Sequence, residues 1–236
     1  GQRSLTHTSI AKIAKGFELK KQEREFFEYL VFMNQASTHD EQNLYYRKML
    51  SIKGYTNTHR LEKASYDYFA KWYYPAIREI VTFGDHSFTP EQIADRLNPE
   101  ITSKEAEKAL RLLLQLALIE KDPDGRWRQC DKIVSTGPEV SSLAITNYHK
   151  EMLKLASESI ERYPAEERDI TAITVSVKRE TLADIKARVA SFRRELLELA
   201  SSDENSDQIY QINFQVFPLT NRTEGGTTCP IISIRY

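Results

Sequence analysis

From Phe88 to Ser135 the chain sets out a short helix, a turn, a longer helix and a β-hairpin, an order that very few folds accept with so little chain between the parts. Ser87 or Thr89 can cap a first helix that opens on Pro90, where the missing N–H of proline costs nothing, and Ile93, Ala94 and Leu97 give it one apolar face. Asn98 and Pro99 make a turn. A second helix is expected from Ser103, with Ala106, Ala109, Leu110, Leu113 and Leu114 at helical spacing as far as Leu116. Leu118 to Lys121 and Arg126 to Gln129 then flank Asp122-Pro123-Asp124-Gly125, where glycine tolerates the positive φ that a hairpin loop needs. The pattern predicts a winged helix.

Such a unit often meets nucleic acid, but a fold does not fix a function and the side chains must carry the argument. The outward positions of the second helix offer Lys104, Lys108 and Arg111, and the wing offers Arg126 and Arg128; these five are the candidate DNA contacts. From Ser87 to Gly137, however, eight Lys or Arg face nine Asp or Glu. Phosphate binding draws most of its affinity from gathered positive charge. The near-cancellation therefore favours a packing or dimerisation role for this element over direct DNA contact.

The rest of the 236 residues, 40% hydrophobic and 28% charged, have globular composition, and the length suits two ordinary domains. No apolar run is long enough to cross a bilayer, since Leu112 to Ile119 is broken by Gln115. A soluble protein with no membrane partner is expected. Cys130 and Cys229 stand far apart without metal-ligand spacing, so a cytoplasmic location with reduced thiols is expected. Gly1 in place of an initiating Met points to a trimmed or longer chain.

Before the winged helix the reading is helical. Residues 1–35 hold a helix from Ser9 to Lys15, capped by Thr8 or Thr6 and ended by Gly16 in a left-handed turn, and a second from Lys20 to Asn34 with Phe26, Phe27, Tyr29, Leu30 and Met33 on one stripe. Residues 36–86 form a helical linker bundle. Thr38 and Glu41 have capping-box spacing, and from Leu61 to Phe83 an aromatic helix carries Tyr66, Tyr68, Phe69, Trp72, Tyr73 and Tyr74, with a kink or restart at Pro75. Aromatics at helical spacing fill cores more often than they stack ligands. The ligand alternative, for an unidentified effector, rests on Trp72, Tyr73, Tyr148 and His149.

Residues 87–137 are the winged helix, closed by the turn-rich stretch Val134 to Pro138. In residues 138–220, Ser141 or Ser142 caps a long helix from Leu143 to Arg162, whose seam of Leu143, Tyr148, Met152, Leu155, Ala156 and Ile160 can join the winged helix or a second protomer. Ile170 to Val177 and Ile209 to Phe217 alternate as strands on either side of a helix bearing Leu182, Ile185, Val189, Phe192, Leu196 and Leu199. A strand-helix-strand unit with a right-handed crossover follows. Residues 221–236 are a tail in which Ile231, Ile232 and Ile234 can add an edge strand. The fold class is thus mostly α with α+β: a helical N-terminal bundle, a central winged helix and a C-terminal strand-helix-strand domain.

Several phrases resemble one family. Phe26-Phe27-Glu28-Tyr29-Leu30-Val31 with Asn34-Gln35-Ala36, then Trp72 to Glu79, Val134-Ser135-Thr136-Gly137 with Asn147-Tyr148-His149, Glu167 to Ile170 with Thr174 to Val177, and Phe217-Pro218-Leu219-Thr220 are similar to signatures of the DUF4423 or TIGR02147 family of bacterial helix-turn-helix proteins thought to regulate transcription. The likeness spans residues 1–220. It implies that residues 1–17 are the closing part of a repressor-type helix-turn-helix whose main DNA-reading helix lies before Gly1. It implies no catalytic motif and no defined ligand.

No Gly-rich phosphate loop, HExxH, GxSxG or EF-hand spacing is present, and His7, His39, His59, His86 and His149 are scattered. No catalytic residue, metal site or cofactor is assigned. The sequence thus leads to a transcriptional regulator represented mainly by its regulatory and assembly region, acting as a homodimer on DNA. The alternative is an interaction or adaptor protein whose winged helix binds no DNA.

Overall fold

The computed structural model describes residues 4–52, 60–83, 88–130, 138–203 and 206–221, so the expected linker at 134–137 and the tail from 222 onward lie outside the described residues. The chain divides into two units, Gly1–Glu151 and Met152–Tyr236.

The first unit starts with α1 (His7–Gly16), α2 (Lys21–Gln35) and α3 (His39–Leu50). Thr6 caps α1 by accepting from the Ser9 amide, and Thr38 caps α3 by accepting from the Glu41 amide at 3.2 Å. The left-handed residue after α1 is Glu18, at φ 53°, and not Gly16, which remains in the helix. No residue of α2 is fully buried; its aromatic stripe is half covered by α1 and α3, with Phe32 stacked on Tyr45 at 5.3 Å.

Next come α4 (Arg60–Phe69) and α5 (Tyr73–Ile80). The break in the aromatic stretch falls at 70–72, ahead of Pro75. Proline at the third position of α5 sits within the first turn, whose N–H groups have no intrahelical acceptor, so it needs no kink.

Then follow α6 (Pro90–Arg96), α7 (Ser103–Gln115), β1 (Ile119–Lys121) and β2 (Trp127–Gln129). Thr89 caps α6 in a reciprocal box with Gln92, with Pro90 at the first position. α7 starts at Ser103 as expected and is capped by Thr102: the Thr102 hydroxyl accepts from the Glu105 amide at 3.2 Å, and Glu105 accepts from the Thr102 amide at 2.9 Å. β1 and β2 pair antiparallel with Glu120 opposite Arg128, and Gly125 turns the loop at φ 79°. Ala106, Ala109 and Leu113 are fully buried, and they join Ile77, Ile80, Ile93, Leu118 and Ile119 in one core. Leu114, expected on that face, is 43% exposed, because one further step along the helix carries it round to the solvent side.

The long helix α8 (Pro138–Arg162) begins before Ser141. Leu143 and Ala144 pack with Tyr46, Leu50 and Tyr66 in a second small core, so the start of this helix meets α3 and α4. Asn147 makes the polar half of that junction. Its amide and that of Asn43 pair reciprocally, each nitrogen donating to the other's oxygen at 2.8 Å, while the Tyr66 hydroxyl donates to Asn43 Oδ1 at 2.7 Å.

The second unit holds the end of α8, a short 3-10 turn (Ala165–Glu167) and α9 (Thr181–Ser201). The expected strands at 170–177 and 209–217 form no ladder; among the described residues the only sheet is β1–β2. Among the described residues no backbone hydrogen bond joins either segment to another stretch, and such a bond is what separates sheet from extended chain.

Candidate nucleic-acid interface

The helix α7 buries one side and shows the other. At 100° per residue, Lys104, Lys108 and Arg111 fall within a narrow stripe on its outer surface, and all three are exposed. Gln115 continues the stripe, with Glu107 and Leu114 along one edge. Lys104 and Lys108 stand one turn apart, a like-charge spacing that costs an isolated helix a few tenths of a kcal/mol. The Arg111 guanidinium is bonded to Glu107 on the preceding turn.

Glu105 is turned away from this stripe toward the start of the helix. The backbone N–H of Thr102, helped by the Thr102 hydroxyl, holds its carboxyl below the usual carboxylate range. A carboxylate at a helix N-terminus also meets the favourable end of the helix dipole. The capping acid is thereby spent on the fold.

The hairpin beside α7 is held by Asp122. Its Oδ1 accepts from the Asp124 amide at 3.0 Å and the Arg126 amide at 2.9 Å, and its Oδ2 accepts from Arg128 Nε at 3.0 Å. The Arg126 amide above all, and then the Arg128 side chain, keep this carboxyl below its ordinary pKa. Arg126 and Arg128 are both exposed, but Arg128 shares its charge with the loop. Lys121 lies over the Trp127 ring at 4.5 Å, a cation at the wing that sequence spacing did not single out; its cross-strand register with Trp127 is the signal. The far end of the hairpin is tied to α5, since Arg78 donates to the Cys130 carbonyl at 2.9 Å and Gln129 Nε2 donates to the Arg78 carbonyl at 2.7 Å.

The four candidate ligand residues fall along one aromatic row. Trp72 meets Tyr73 at 6.0 Å, Tyr73 meets Tyr74 at 4.9 Å, Tyr68 meets Phe69 at 5.0 Å, Phe69 meets Tyr148 at 5.9 Å, and Tyr148 meets His149 at 5.9 Å. Tyr73 is buried in the main core, Trp72 and Tyr148 are half-buried and His149 is exposed. Burial raises the pKa of Tyr73, Tyr74 and Tyr148, and pushes that of Tyr68 up to about 12 against the opposing Arg78 charge. Rings packed edge to face in this way fill a core.

Among the described residues no group of His, Cys, Asp or Glu is placed to hold a metal ion, and no helix is long and apolar enough to cross a membrane. Neither the curated proteins nor the solved structures include a match to this chain. Residues 52–219, which take in α4 to α9 and the hairpin, match the family model described as a domain of unknown function, DUF4423, and the chain belongs to that family.

Proposed function

We propose that this protein is a non-enzymatic DNA-binding regulator that works as a homodimer, with α7 and its hairpin forming a winged helix laid against the phosphate backbone; the charge balance that weighs against this contact is a sum over residues 87–137, whereas the open stripe of α7 is cationic. The observation that carries the reading is the stripe of Lys104, Lys108 and Arg111 on the one face of α7 that the core leaves open. Cations at this spacing contact successive phosphates and position a protein without reading bases. Arg126 and Arg128 extend the same surface onto the wing.

Fluorescence anisotropy with duplex DNA at increasing salt tests it. About three phosphate contacts give a slope of log affinity against log salt near −3, and the triple variant Lys104→Gln, Lys108→Gln, Arg111→Gln removes most of that slope. Absence of binding at low salt, or a slope untouched by the triple variant, refutes the reading.

A second reading, a protein-binding adaptor, draws on the ion pairs Glu107–Arg111 and Asp122–Arg128, which cancel two of the five cations within the chain itself. Under it, the five-fold substitution of Lys104, Lys108, Arg111, Arg126 and Arg128 leaves the biological activity intact.

A further inference from the structure

Residues 152–221 bury almost nothing by themselves. Among the described residues of this stretch Met152 alone is buried, although α9 carries an apolar stripe along its whole length. Phe192, Leu197 and Leu199 are 52%, 62% and 67% exposed. On the segment 170–177, Ile173, Val175 and Val177 share one face and are 86%, 59% and 48% exposed. On 208–217, Tyr210, Ile212, Phe214 and Val216 share one face, and Gln211, Asn213 and Gln215 share the other with Ile209 and Phe217 at its two ends. This second segment is anchored at two points: Phe214 meets Phe192 edge-on at 6.1 Å, and Asn213 Nδ2 donates to the Met152 carbonyl at 3.1 Å.

Both segments have open edges. Neither contains a proline, so every residue offers a backbone donor and acceptor, and among the described residues no backbone hydrogen bond joins either one to another stretch. Fourteen large apolar residues of these segments and α9 are each 36% or more exposed, a density that marks an interaction surface more than an ordinary monomer surface. A stretch of this size without a core does not offset the entropy of ordering its chain.

The charges say what covers it. The segments themselves carry no Asp, Glu, Lys, Arg or His, which gives a polyanion or a charged peptide nothing to hold. At their ends, Lys178 and Arg179 follow the first, ahead of Glu180, while Asp207 directly precedes the second and Asp203 lies four residues further back, all exposed. Antiparallel pairing of the first segment with the second sets those bases against those acids. The two segments of one chain, joined by a single helical crossover, instead pair parallel, which leaves Lys178 and Arg179 beside the uncharged Pro218 and Leu219.

We propose that the cover is a second copy of this chain: the 170–177 segment of each protomer pairs antiparallel with the 208–217 segment of the other, and the two α9 helices back the joint sheet. This deepens the homodimer half of the function proposed above and stands apart from its DNA half.

Sedimentation equilibrium of the full chain across the micromolar range is the test. The unmodified protein is expected to be dimeric. Ile173→Lys, at a position open to water in a single chain, is expected to weaken the dimer about 100-fold or more while leaving the helical circular dichroism of the first unit in place. Lys178→Glu with Arg179→Glu is expected to weaken it about tenfold, and adding Asp203→Lys with Asp207→Lys to restore it. A monomer at every concentration overturns the proposal, including one whose 170–177 amides are protected by the chain's own residues 222–236. So does a dimer indifferent to Ile173→Lys, and a failed charge rescue overturns the antiparallel pairing. The triple α7 variant leaves the dimer constant unchanged, and an unmodified protein that dimerises but binds no DNA at low salt counts against the DNA reading alone.

Discussion

Replacing Asn147 with alanine tests the claim that one amide pair fastens α8 to α3 and α4. The substitution removes the two 2.8 Å bonds exchanged with Asn43 and the contacts to the Tyr66 hydroxyl at 3.3 Å and His39 Nε2 at 3.0 Å. Tyr66 still donates to Asn43 Oδ1, but the Asn43 amide nitrogen, in a residue only 9% exposed, loses its acceptor. Two amide hydrogen bonds at about 1 kcal/mol each, plus about 1 kcal/mol or more for the stranded donor, give a loss near 3 kcal/mol. For a domain of this size that lowers Tm by roughly 10 °C in differential scanning calorimetry. The double variant Asn43→Ala, Asn147→Ala strands neither amide and is expected to cost less than the two single variants together, with a coupling of about 1–2 kcal/mol. Additivity to within about 0.5 kcal/mol would show that the two amides do not act as a unit, and would refute the reasoning.

Three further outcomes follow from α7 and its hairpin. Leu113→Ala, at a fully buried position, costs about 3 kcal/mol in urea unfolding, while Leu114→Ala on the next, 43% exposed position costs under about 0.5 kcal/mol; equal effects would mean that α7 is turned differently. Thr102→Ala removes the cap of α7 and costs about 1 kcal/mol by the same assay, whereas Ser103→Ala is near neutral. Because the folded-state pKa of Asp122 is depressed, its contribution is complete above the unfolded carboxylate value of about 3.9 and is lost as pH falls through the folded value. Hydrogen exchange at the Asp124 and Arg126 amides is therefore expected to lose protection on acidification; Asp122→Ala abolishes it at every pH, and a pH-independent profile in the unmodified protein would contradict the loop geometry.

What could be read from the sequence is what is decided within a few residues. Thr38 with Glu41 and Thr89 with Gln92 are caps whose donor and acceptor lie three positions apart, and each is found where the spacing puts it. The start of α7 at Ser103 was legible too, and Thr102, which has an acid at the third position beyond it, is the cap ahead of it. The turn at Gly125 and the hairpin are equally local. The amide pair of Asn43 and Asn147 was not legible, since 104 residues separate its members and neither stands in a pattern. The pair Glu107–Arg111 stands at the i,i+4 spacing of a helical ion pair and is local in the same sense, whereas the sharing of Arg128 with Asp122 depends on the hairpin register.

The last third exposes a different boundary between sequence and structure. Alternation in Ile170 to Val177 and Ile209 to Phe217 is a strong strand signal, yet a strand exists only with a ladder, and alternation says which face is apolar without saying whose backbone lies alongside. In α7 the same kind of pattern resolves itself, because Ile77, Ile93 and Leu118 of the same unit fill the space against it. In residues 170–217 the apolar face meets water instead. A chain that selects uncharged, proline-free, alternating segments and then leaves them open carries an aggregation hazard, which charged edges, bulges or short strands usually blunt. None of those devices interrupts these two segments; the charges stand only at their ends, where they can set register. Segments left in this form are best understood as halves of an interface, with the terminal bases and acids selecting one pairing among the several that the apolar faces alone would accept.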